Sequence, residues 1–545
     1  MLNTFYTRNK ETILKLSTIF LVVIVFIVIE IIVRLIFPVS QSDNMIDIGP
    51  INLFSTQTIQ GETWYKISNK NAYSDRNIFF KKEKEKDQVR IICLGGSASA
   101  SWPHPPTEIY NSYLEKSLQK IYPTKKIEII NCSAHGFASY RVRQVFETII
   151  PLQPDAVIIW CGNNEFLERR NYKTSELKDF LIKVRNYSRS IELLSELFTN
   201  NKYTDTPDVA ETFWKKVNEE ALELRSDPEQ LVMVKEHYRK SMENIVMRAK
   251  KSNIGLMLMT VPVNLRDWEP NVSYLGLSST DSLNWVNAFK EGKRQFLGSN
   301  YSEANASFGR ANKIAPHHAE TCFWLARTYE NMMDTTSALQ YYIEAKDLDY
   351  NPFRVISDFN NTLRSIAIDN PEVILLDMEQ LIRPYAHNGI PGFDLFLDYV
   401  HPTKEGNLVI ACEAANMIIN SNLIPIPPVR QKLSLNEIEE INSSEYREES
   451  DDYLQFTRFS LCCMTHQYYA ALYFGKILKA NIPPELSDTQ NSAKINLIND
   501  AIKTFQQYVE FEQESLIRKH SVEEEKNMIK EINLFYQKHF PYEAF

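Results

Sequence analysis

Five short apolar runs, Val89–Leu94, Ile127–Ile130, Ala156–Trp160, Ile254–Thr260 and Val373–Leu376, punctuate longer segments whose apolar and charged residues recur at helical spacing. Near-continuous apolar character suits strands buried on both faces, and segments such as YNSYLEKSLQKI and VKEHYRKSMENIVMRAKK supply the covering helices. The order predicts an α/β fold with a parallel sheet. Ahead of it, residues 13–36 read ILKLSTIFLVVIVFIVIEIIVRLI. As a helix this tract would span roughly 36 Å at about 1.5 Å per residue, enough to cross a hydrocarbon core, and it predicts one transmembrane helix. Arg8, Lys10 and Lys15 at its start favour an inside N-terminus, which places the large remainder outside the cytoplasm, in a periplasm or a similar compartment. No small-x-small cleavage site or lipobox cysteine follows, so a retained single-pass anchor is expected over a cleaved signal peptide. Glu30 and Arg34, one turn apart, are expected to pair near the membrane interface.

The same pattern divides the chain. Residues 1–12 form a short cytoplasmic segment, 13–36 the membrane helix and 37–88 an irregular connector. The connector's FFKKEKEKDQ stretch alternates lysine with glutamate, which suits solvent better than nucleic acid. Residues 89–284 hold the first part of the α/β domain, with a helical excursion over 169–235 that is a lid candidate, and 353–425 hold the last part. Between them, over 285–352, a 34-residue register aligns Gly292 with Ala326, Ala304 with Ala338, Phe308 with Tyr342 and Ala311 with Ala345. Small residues at helix crossings and aromatics against neighbouring turns resemble two tetratricopeptide repeats. Two units fall short of a self-sufficient array, so they are expected to pack on neighbouring structure, with a protein partner as a further expectation. Residues 426–545 predict a helical C-terminal region whose aromatics serve packing rather than catalysis.

Composition narrows the partners. The 545 residues exceed one ordinary domain, and 44% apolar with 24% charged residues support folded cores. Sixty Lys plus Arg against 69 Asp plus Glu give a net charge of -9, without bulk attraction for nucleic acid, which is not an expected partner. Seven cysteines without a repeating short spacing exclude a disulfide framework and a zinc-ligand series. Cys93, Cys132 and Cys161, near three strand ends, are expected to pack as small apolar groups, and His317 and His318 to cap or face solvent. No metal or cofactor is called for.

The chemistry-bearing residues follow the apolar runs. VRIICLGGSAS places Ser97 after two glycines that allow a tight turn at the sheet edge, at the expected start of a helix. IEIINCSAHG places Gly136, and AVIIWCGNNE places Asn164, where a backbone N–H and an amide can donate to a developing oxyanion together with the Ser97 N–H. FLDYVHPT supplies Asp398 and His401. His401 can take the Ser97 proton and return it to the leaving alcohol while Asp398 orients the ring, giving hydrolysis through an acyl-serine. His135 is expected to make a loop contact. In VPVNLRDWEP, Asn264 and Arg266 are candidates for binding a polar substrate, or for fixing their own loop.

With these four ordered motifs the chain resembles the SGNH, or GDSL-like, hydrolase superfamily, over residues 89–168, 239–268 and roughly 370–420. The resemblance implies a three-layer α/β sandwich, with Ser97 as nucleophile, Gly136 and Asn164 as oxyanion donors, Asp398 as the acid and His401 as the base. GGSAS stands where GDSL is usual, and Glu165 where aspartate is familiar. The expected function is a membrane-anchored, extracytoplasmic serine ester hydrolase deacylating an O-acylated glycan, glycoconjugate or lipid. The alternatives are an O-acyltransferase using the same serine and a noncatalytic scaffold recruiting proteins through its helices.

Overall fold

A computed structural model describes residues 53–67, 79–167, 225–350, 353–421, 423–424, 426–443, 448–481 and 492–540, together with Thr18, Phe20, Leu21, Ile24, Val25, Phe26, Ile29 and Glu30. The chain divides into two compact units, Met1–Pro50 with Asn171–Pro207, and Ile51–Arg170 with Asp208–Phe545. In the first unit the described residues are helical. Among the described residues no helix is long and apolar enough to cross a membrane. Crossing takes about 20 consecutive apolar residues, and of residues 13–36 only the eight just named are described. The expected transmembrane helix is corrected accordingly. With it fall the single-pass anchor, the membrane as a partner, the extracytoplasmic or periplasmic location and the membrane-anchored form of the function. The expected Glu30–Arg34 pair and residues 169–224 of the helical excursion lie outside the described residues.

The second unit opens with a three-stranded antiparallel sheet where an irregular connector was expected: β1 (Phe54–Ile59), β2 (Glu62–Ile67) and β3 (Phe79–Lys81). Ile59 pairs with Glu62 across a two-residue turn in which Gln60 and Gly61 have φ of 51° and 82°. Two positive φ angles in succession match the twist of a tight hairpin, which explains the glycine there. The main sheet is parallel throughout, in the order β5-β4-β6-β7-β8: β4 (Gln88–Gly95), β5 (Lys126–Asn131), β6 (Ala156–Trp160), β7 (Gly255–Met259) and β8 (Ile374–Leu376). These strands lie at the five apolar runs, and every residue of β4 and β6 is buried. Arg90, fully buried on β4, donates from Nε to Glu128 at 2.6 Å and to the carbonyls of Lys81, Lys82 and Leu152. It fastens the small sheet to the large one.

Helices α1 (Tyr110–Ile121), α2 (Ser139–Ile149) and α3 (Pro228–Lys251) alternate with the first strands. Four more, α4 (Ser279–Leu297), α5 (Tyr301–Ile314), α6 (Ala319–Asn331) and α7 (Thr335–Asp347), precede α8 (Ser357–Asp369), and α9 (Lys404–Ile419) follows β8. The chain steps from β4 outward to β5 through α1, then back across the sheet through α2, α3 and α8. Right-handed crossovers in opposite directions put α1 on one face and the other three on the opposite face. The packing agrees: α1 meets α9, while α3 meets both α2 and α8. Helices α4 and α5 pair, as do α6 and α7, around Trp285, Phe289, Ala304, Phe308 and Trp324. A Cβ at Gly292 would stand 2.6 Å from the Phe308 ring, so the aromatic needs the glycine opposite it.

The chain ends in α10 (Leu435–Asn442), α11 (Glu448–Met464), α12 (Tyr468–Asn481), α13 (Ser492–Ser515) and α14 (Val522–His539). Their core joins Phe459, Phe474, Phe505, Phe535 and Tyr536 to Trp268, with Phe393 and Tyr399 against it. Lys293 of α4 pairs with Glu512 of α13, which also accepts from the Tyr469 hydroxyl. The tail is thus part of the same packed body as the loops at the sheet's carboxyl edge.

Candidate active site

Ser97 lies just past the carboxyl end of β4. Gly95 is required because a Cβ there would stand 2.0 Å from the Trp160 carbonyl, and at Gly96 one would stand 2.3 Å from Asn164 Nδ2 and displace that amide. Successive turns follow, with Ala100 N–H donating to Gly96 O and Trp102 N–H to Ser97 O, and the first α-helix starts only at Tyr110. Ser97 is therefore held by turns, not at a helix start as expected. His401 Nε2 lies 2.9 Å from Ser97 Oγ, and His401 Nδ1 lies 2.6 Å from Asp398 Oδ2. An ionised carboxylate only accepts, so Nδ1 carries the ring proton and Nε2 is left to receive the serine proton. Asp398 is 0% exposed. Its other oxygen accepts from the N–H groups of Val400 and His401, each at 2.8 Å, which replaces the water lost on burial.

The two loops are tied directly to each other. His104 Nε2 meets the Pro402 carbonyl at 2.8 Å, and the Tyr110 N–H donates to Asn407 Oδ1 at 3.0 Å. These bonds span the distance in sequence between Ser97 and His401. Asn164 is buried, and one amide N–H donates to Phe137 O at 3.0 Å; the amide has a second to offer. Gly136 takes φ of +68°, with no atom within 4 Å of where a Cβ would lie. Glu165 holds the start of α2, accepting from the Ser139 N–H at 2.7 Å and from its hydroxyl at 2.8 Å. The carboxylate thus fixes the first residue of α2, two positions after Phe137.

The two substrate-binding candidates make contacts within the protein. Asn264 is 0% exposed; its Nδ2 donates to Asp398 O at 3.0 Å, and its Oδ1 accepts from the Asp267 N–H. It supports the acid-base loop from behind. Arg266 pairs with Asp267 at 3.0 Å and with Asp394 at 3.4 Å, and lines a cavity that none of Ser97, Asp398 and His401 lines. Sequence reasoning missed Arg354, a buried residue that donates to the carbonyls of Asn264 and Trp268 at 2.9 and 3.0 Å. Burial lowers its pKa to about 10. It also missed Trp102, whose ring stands edge-on to His401 at 4.9 Å and to His135 at 5.8 Å. No local pattern marks either residue. Cys93, Cys132 and Cys161 are buried thiols, their pKa values pushed up by burial, and among the described residues no cluster able to hold a metal is present.

No family model matches the chain, and no curated protein matches it. Among solved structures, an acetyl xylan esterase covers 61% of this chain and 100% of its own, at 12% identity and a TM-score of 0.27. A likeness that coarse leaves the chemistry resting on the Ser97–His401–Asp398 hydrogen-bond chain.

Proposed function

We propose that the chain is an SGNH-like serine hydrolase acting on carboxylic esters through an acyl-serine. The observation that carries this reading is the continuous path from Ser97 Oγ through His401 to Asp398, at 2.9 and 2.6 Å. His401 removes the serine proton as Oγ attacks the ester carbonyl, and Asp398 stabilises the imidazolium that results. The Ser97 and Gly136 N–H groups and the Asn164 amide receive the oxyanion. The imidazolium then protonates the leaving alcohol, and water, activated by the same ring, releases the acid. A hydroxyl-bearing acceptor in place of water would give acyl transfer from the same intermediate.

Intact-mass measurement with an activated acyl ester tests this. The original chain is expected to gain one acyl group and turn over, and Ser97→Ala to do neither while remaining folded. His401→Ala is expected to lower kcat by about 10³-fold or more. A panel of acetyl to octanoyl esters and O-acetylated saccharides, with free acid and acylated acceptor measured separately, assigns hydrolysis or transfer. A folded Ser97→Ala chain that still forms the adduct removes Ser97 as nucleophile and the proposal with it.

A further inference from the structure

Behind the acid-base loop lies a cavity of about 870 Å³, bounded by the loops carrying Arg266 and Phe393, by α6 and α7, and by α11 and α12. Aromatic side chains make much of its wall, among them Phe323, Phe393, Tyr469, Tyr473 and Phe474. Arg266, Arg327 and Glu330 in its wall have hydrogen-bond or ion-pair partners within the protein. Arg266 pairs with Asp267, Arg327 lies 4.0 Å from Glu269, and Glu330 accepts from the Tyr342 hydroxyl at 2.8 Å. Arg458 is 8% exposed; the charges of Asp398, Glu405 and Asp267 reach it, but among the described residues it forms no ion pair within 4.0 Å. Its Nη2 makes only long bonds, 3.4 and 3.3 Å, to the carbonyls of Phe393 and Phe396, and its buried Nε has no partner.

A guanidinium cannot shed its proton to escape such a site. The Phe393 and Phe474 rings, 5.6 and 5.0 Å away, offset part of its charge by cation–π contact but supply no hydrogen-bond acceptor. A buried, unpaired cation in a roomy pocket is stabilised most by an anion that accepts from its free donors, and guanidinium geometry suits the paired oxygens of a carboxylate or a phosphate. We infer that this cavity is a second ligand site, separate from Ser97, for a small molecule carrying a carboxylate or phosphate on a flat apolar body. The anion pairs with Arg458 and the apolar part lies among the aromatic rings.

Titration calorimetry on the full chain with phenyl phosphate and with benzoate is expected to saturate for at least one, the tighter of the two naming the anionic group. Benzyl alcohol, the same ring without charge, is expected to bind at least about tenfold more weakly. Arg458→Met is expected to lower the anion's affinity about tenfold or more. Ala470→Glu, which adds a competing carboxylate to the cavity wall, is expected to do the same and decides the matter if Arg458→Met does not fold. Ser97→Ala is expected to leave the titration unchanged. No saturation with either anion, equal affinity for benzyl alcohol, a titration lost in Ser97→Ala, or unchanged binding in the folded cavity variants overturns the inference.

Discussion

At Gly96 the absence of a side chain is itself a functional group. A Cβ there would stand 2.3 Å from Asn164 Nδ2, and the far end of a side chain can yield where backbone cannot. Gly96→Ala is therefore expected to retain stability while displacing the Asn164 amide, the oxyanion donor in the proposed mechanism, with kcat falling about 10²-fold and measured by steady-state kinetics. Asn264→Ala is expected to lower kcat about tenfold with KM nearly unchanged, because its amide holds the Asp398 carbonyl. A rise in KM alone would restore Asn264 as a substrate contact. Ser97 could be proposed from two glycines at the end of β4, and Asp398 and His401 from their spacing in FLDYVHPT, in the loop before α9 and well past β8. Asn264 also lies in a loop, yet its sequence context does not tell whether the amide faces substrate or the loop behind. That direction is set by Asp398, 134 positions away.

Among the elements, the five strands were legible as unbroken apolar runs because both faces of a central parallel strand are covered. The small sheet was not, since β1 is polar and exposed over Thr56–Thr58 and carries no such run. Between α5 and α6, His318 caps a helix, its Nδ1 accepting from the Thr321 N–H at 3.2 Å, and its ring lies 4.4 Å from that of Trp285. Burial lowers its pKa to about 4. The unfolded chain takes up this proton near pH 6.5 and the folded one does not, so the stability it contributes is present above about 6.5 and is lost as pH falls toward 4. Glu269 and Glu320, raised by burial, act with the opposite sign, favouring the fold as pH falls toward their ordinary range. His318→Asn keeps a capping oxygen and removes the titration. Thermal unfolding of the two chains is expected to converge between pH 7.5 and about 5, with the original chain losing up to about 2 kcal/mol more over that range. Parallel pH curves would show that the histidine titrates normally. Gly292→Ala, pressing on Phe308, is expected to cost about 1–3 kcal/mol in the same assay.

For the whole molecule, the packing of the tail against Trp268, Phe393 and Tyr399 ties residues beyond 448 to the acid-base loop. A chain ending at residue 443 keeps every residue of the proposed catalytic set but uncovers those three rings. It is expected to lose more than about 10²-fold in esterase activity and to be cut within residues 392–401 by limited proteolysis. Full activity in the shortened chain would make the tail dispensable to the site. This union was illegible in the sequence because helical spacing shows that a face is apolar without naming what covers it. Closure by the tail also sets a timetable. Synthesis delivers Ser97 early, His401 some 300 residues later and Tyr536 after both, its hydroxyl fastening to the Cys463 carbonyl at 2.6 Å. A nascent chain thus carries Ser97 before the His401 that meets it, and under the proposed mechanism ester cleavage waits on the segment that seats the histidine.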